Sequence, residues 1–121
     1  MPKPRTEQSN REYGTTLEQT VANKFIEIGF HQARPTSGSG CGFVKGDITG
    51  IADVAHVECK RVNKPNITIK QAVWHKLNEE ISLHSKKIPM YVLQNSSDVK
   101  LVCLDINDFF TILKGYLDNE R

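Results

Sequence analysis

A chain of 121 residues, with 25% charged and 38% hydrophobic side chains and a formal net charge of +2, has the size and make-up of one soluble globular domain. No apolar run approaches the ~18 residues a membrane span needs, and the first residues, MPKPRTEQSNREYG, lack the apolar core of a secretory signal, so a cytoplasmic location is the default expectation. Three cysteines, Cys41, Cys59 and Cys103, are odd in number and not closely paired, which argues against a disulfide framework and against a zinc site.

Residues 1–14 are polar and broken by two prolines, and are expected to form a flexible arm ahead of a single domain over 15–121. Thr15 or Thr16 is expected to cap a helix running to about Gly29, with Leu17, Val21, Phe25 and Ile28 on one face. Gly29 suits the C-terminal cap. A short strand over 30–35 precedes the glycine-rich loop TSGSGCG. FVKGDITG (43–50) and VAHVECKRV (54–62) read as paired strands, turned at Gly50 to Asp53.

Thr68 is expected to cap a second helix over roughly 68–85, burying Ile69, Val73, Leu77 and Ile81. MYVLQ (90–94) and KLVCL (100–104) read as strands around an Asn95–Asp98 turn. Asp105 then caps a last helix with Ile106, Phe109, Leu113 and Tyr116 as its apolar stripe. The order is helix, about three strands, helix, two strands, helix: an α/β domain with a mixed central sheet flanked by helices.

The charge is unevenly placed. Residues 60–87 carry Lys60, Arg61, Lys64, Lys70, Lys76, Lys86 and Lys87 against only Glu79 and Glu80, whereas 88–121 are net acidic. A basic stretch suits a polyanionic partner, although a solvated lysine-rich helix face would read the same way.

Chemistry concentrates in GDITGIADVAHVECKRV. Along a strand, His56, Glu58 and Lys60 share one face while Val57 and Cys59 take the other. If the neighbouring strand brings Asp47 beside Glu58, two carboxylates converge and repel. A divalent cation relieves that repulsion, and oxygen ligands favour Mg²⁺ or Mn²⁺ over zinc. Such a centre, with a lysine beside it, is what phosphodiester hydrolysis needs.

Gly46-Asp47, ten intervening residues and then Glu58-Cys59-Lys60 resemble the signature of the PD-(D/E)xK nuclease superfamily, with Gly46 where the pattern has proline. The resemblance implies a restriction-endonuclease-like core. It also implies a metal held by Asp47, Glu58 and the carbonyl of Cys59, and Lys60 acting on the attacking water. Over most of residues 11–95 the layout is most similar to archaeal-type and phage Holliday junction resolvases, which carry a helix glutamate (here Glu18) and a Ser/Gly loop (here Ser37 or Ser39). The implied activity is Mg²⁺-dependent cleavage of four-way DNA junctions. Arg61, Lys64, Lys70 and Gln71 would join the loop serines on the DNA backbone, and a homodimer would match the two-fold substrate.

Each supporting residue has a plainer role to weigh. Thr15–Glu18 and Thr68–Gln71 both have capping-box spacing. His56 could pack at the sheet margin, and Trp74 and Leu77 read as core. The TSGSGCG loop lacks a P-loop ending and precedes a strand, so no nucleotide cofactor is expected. Phe109 and Phe110 cannot both face one core, which leaves one for a partner subunit. Other functions that fit are a nicking or repair nuclease of the same core, and a catalytically silent DNA-binding module.

Overall fold

The computed structural model describes residues 7–36, 46–81, 83 and 85–120, with backbone alone for 7–16. It is a mixed α/β structure with three helices. In chain order the elements are α1 (Glu7–Glu27), β1 (Arg34–Pro35), β2 (Ile48–Thr49), β3 (Ala55–Arg61), α2 (Gln71–Glu79), β4 (Ile88–Gln94), β5 (Lys100–Cys103) and α3 (Ile106–Asn119).

β3, β4 and β5 form a mixed sheet in that order, β3 parallel to β4 and β5 antiparallel to it. The α2 crossover is what allows the parallel pair. β1 and β2 make a separate two-stranded ribbon, pairing Arg34 with Thr49 and Pro35 with Ile48. Among the described residues β3 is therefore an edge strand.

Alternation divides the sheet into two faces. Val57 and Val92, with Cys59 and Met90 beside them, pack on Leu17, Val21, Ala22 and Phe25 of α1. On the opposite face Tyr91 and Leu93 pack on Leu77, with Val73 and Trp74 of α2 against them. The expected core roles of Trp74 and Leu77 hold. Burial of these side chains, each worth ~1.5–3 kcal/mol, is what ties both helices to the sheet.

Several boundaries differ from the sequence expectation. α1 begins at Glu7, so residues 7–14 of the expected arm are helical. Glu7, Gln8, Arg11 and Glu12 are good helix formers that extend the helix without an apolar face. Thr15 and Thr16 thus lie inside α1, and the Thr15–Glu18 capping box does not exist. At the other end the expectation holds. Gly29 N–H donates to Ile26 O and Phe30 N–H to Phe25 O, both 3.0 Å, the Schellman pattern. Phe30 packs edge-on against Phe25 across this cap.

α2 starts later than expected and stops earlier. Its N-cap is Lys70, without a side-chain cap hydrogen bond, so Thr68–Gln71 is not a capping box and Ile69 is exposed. Beyond Glu79 nothing rewards another turn, since Leu83 is fully exposed. Asp105 does cap α3, accepting from Asn107 N–H at 2.8 Å. The stripe on α3 is another correction: no residue of α3 is buried. Asn95 organises the expected turn, accepting from Ser97 and Val99 N–H and donating to Pro65 O.

Gly50 closes the β2–β3 connection. It has φ +79°, and a Cβ there would overlap the carbonyl oxygen of Gln32. Only glycine fits.

Candidate metal and phosphodiester site at the open edge of β3

An edge strand leaves unpaired backbone groups along its free side. In β3 two of them are met by one residue. Asp47 N–H donates to Val57 O at 2.7 Å, and Asp47 Oδ2 accepts from Cys59 N–H at 2.6 Å. The Asp47 carbonyl in turn accepts from Thr36 N–H at 2.9 Å. Of the expected pairing of the 43–50 and 54–62 strands, residues 43–45 lie outside the described residues. Among the described residues the link rests on Asp47, whose carboxylate stands where a neighbouring strand would place a carbonyl.

This geometry accounts for Gly46. Its φ is +88°, and a Cβ would crowd the His56 ring and Val57 O at 3.1–3.2 Å. A proline, locked near φ ≈ −65°, could not occupy this backbone.

Glu58 and Lys60 project from β3 on the α2 face, 25% and 51% exposed, with Lys60 Nζ 3.6 Å from Glu58 Oε1. Burial pushes the Glu58 carboxyl above its ordinary range, and the charge of Asp47 adds to the rise. The two carboxyl groups are close enough to hydrogen-bond through a shared proton, while Lys60 pulls the other way. Glu18 reaches the same edge from α1 on the opposite face. Its carboxyl is also raised, first by burial and then by Asp47, with Lys60 opposing. Asp47, Glu58, Lys60 and Glu18 are therefore one electrostatic group around the free edge.

Cys59 contributes its backbone. N–H and C=O of one residue leave a strand on the same side, so the Cys59 carbonyl faces the open edge beside Asp47. The thiol is pushed strongly upward, chiefly by burial and then by Asp47, Glu18 and Glu58, which rules out a thiolate role at neutral pH. Cys59 and Cys103 are both free.

Among the described residues no three His, Cys, Asp or Glu side chains converge as a ready-made metal cage. What the edge offers is two carboxylates and a carbonyl. That set fits Mg²⁺ or Mn²⁺, which keep several waters and take few protein oxygens. A cation there would relieve the part of the rise at Glu58 and Glu18 that comes from the Asp47 charge, which adds to the larger effect of burial.

Of the residues assigned to DNA, Lys64, Lys70 and Gln71 are exposed around the start of α2. Lys64 is placed by its carbonyl, which accepts from Ser96 N–H at 3.0 Å. Arg61 is half-buried and donates to Asn63 Oδ1. Ser37 and Ser39 lie outside the described residues.

His56 packs at the sheet margin as expected, whereas Tyr91 escaped the sequence reading. His56 is buried and 3.2 Å from Glu80 Oε1 at the C-cap of α2, tying β3 to the helix. Tyr91 is level with Glu58 on β4. Burial and then the Glu58 charge raise its hydroxyl. A lone tyrosine in the apolar run MYVLQ was the available signal.

No helix among the described residues is long and apolar enough to cross a membrane. No family model, curated protein or solved structure matches the chain.

Proposed function

We propose that the chain is a divalent-metal-dependent endodeoxyribonuclease built on a restriction-endonuclease-like core, cutting four-way DNA junctions by paired phosphodiester hydrolysis. The observation that supports this reading best is the pinning of the Asp47 carboxylate to the free edge of β3 beside Glu58. That juxtaposition holds two like charges together in a half-buried place, which costs stability unless a cation joins them.

In this reading Asp47, Glu58 and the Cys59 carbonyl hold Mg²⁺, which supplies Lewis acidity and an acidified water. Lys60 stands over the same place as a fixed positive charge, able to orient the attacking water and to stabilise charge developing on the phosphoryl oxygens. Glu18 would hold a water beside the carboxylates by accepting its hydrogen bond. Lys64, Lys70, Gln71 and Arg61 grip the backbone, with no base-reading element required. Ser37 and Ser39 would approach the same backbone from the loop.

Four-way junction, flap and plain duplex, each end-labelled and incubated with Mg²⁺ or with EDTA, separate the substrates. Paired, religatable nicks in the junction with Mg²⁺ alone are expected. Equal cutting of plain duplex would remove the resolvase assignment and leave a general nuclease.

A further inference from the structure

We infer that α3 is a self-association surface, its apolar seam packing against α3 of a second copy of this chain. Ile106, Phe109, Phe110, Leu113, Tyr116 and Leu117 recur at spacings of three and four along the whole helix. None is buried, and Ile106, Phe110 and Tyr116 are 67%, 56% and 59% exposed. Phe109 and Phe110 meet edge to face at 5.3 Å, pointing outward together. α3 turns a different side to its own domain. Ile112, about a quarter turn around the helix from the seam, lines a cavity of about 330 Å³ with Phe25, Ile28, Met90 and Val102.

Three considerations select a second copy as the occupant. The 3–4 spacing is the pattern that interlocks with another helix of the same kind, and a 14-residue helix is marginal in water without packing. The seam offers on the order of 600 Å² of apolar surface per chain, close to the ~800 Å² each partner brings to a stable interface. The rest of α3 and its cap carry Asp105, Asp108, Asp118 and Glu120 against Lys114, an acidic surround that opposes docking on nucleic acid or an anionic membrane and whose repulsion between two copies is screened by salt. The choice also rests on the junction reading above, since two matched cuts need two sites.

Sedimentation velocity of the full chain at micromolar concentration, without DNA or metal, tests the interface by itself. The wild type should run at twice 13.7 kDa. Phe110→Glu and Tyr116→Glu should each run at 13.7 kDa with unchanged far-ultraviolet circular dichroism. Tyr116→Ala, which removes area and favours the helix, should weaken the dimer at least about tenfold. Thr111→Glu, on the opposite side of α3, should leave it intact. A wild type that stays monomeric, or seam variants that stay dimeric, would overturn the inference, as would monomers that bind neutral phosphatidylcholine vesicles through the seam. Cleavage is scored separately. A dimer that cuts nothing sinks the nuclease reading and keeps the interface, and a monomer that cuts does the reverse.

Discussion

On the proposed reading Asp47 has two separable jobs: one carboxylate oxygen accepts from Cys59 N–H, and the carboxylate also holds a cation. Asp47→Asn keeps an acceptor for that N–H and should fold normally while losing cleavage. Asp47→Ala strands a part-buried donor, at a cost of about 1–3 kcal/mol, and urea melts should separate the two variants. Glu58 makes the complementary case. Its carboxyl, like that of Glu18, is raised above the ordinary carboxyl range, chiefly by burial. A group with a raised folded pKa contributes stability that is full below the unfolded value and lost as pH rises through the folded one. Without metal, Glu58→Gln should therefore melt a few degrees higher than wild type at pH 7 and no higher near pH 4. Added Mg²⁺ should raise the wild type and leave the variant unmoved. Thermal scans at both pH values check the sign, and a variant less stable at pH 7 would contradict it.

The elements were legible where apolar periodicity is repeated and turn chemistry is specific. The part of α1 from Leu17 on, with its Gly29–Phe30 ending, β3, β4 and the Asp105 cap are all where Leu17–Val21–Phe25, VAHVECKRV, MYVLQ and Asp105 place them. Starts were less legible, because Thr15 and Thr68 look like caps but propensity and packing decide. Glu7–Glu12 extend α1 through a polar stretch, and α2 is held only where Leu77 and the His56–Glu80 pair anchor it. The β2–β3 connection depends on a close approach that no local pattern announces. Gly50→Ala must meet both a positive φ and the Gln32 carbonyl, so a loss of about 2–4 kcal/mol is expected. A melting temperature within a degree of wild type would contradict that placement.

At the scale of the whole molecule, charge and apolar surface are sorted to different places. The carboxylates gather at the free edge of β3, Lys64 and Lys70 flank the start of α2, and the exposed apolar seam runs along α3. The motif spacing pointed to Asp47, Glu58 and Lys60. It could not show that Asp47 acts as a surrogate strand partner, which depends on chain segments meeting in space. Nor could the α3 stripe announce that it faces outward, since a core stripe and an interface stripe share one period.

The central claim is that Glu58 at this edge holds the cation on which strand scission depends. Single-turnover cleavage of an end-labelled four-way junction in Mg²⁺, comparing wild type with Glu58→Gln, tests it most directly. The account predicts scission by the wild type and a rate at least about a hundredfold lower for the variant, with junction binding as tight or tighter. Cutting by Glu58→Gln at the wild-type rate would contradict it.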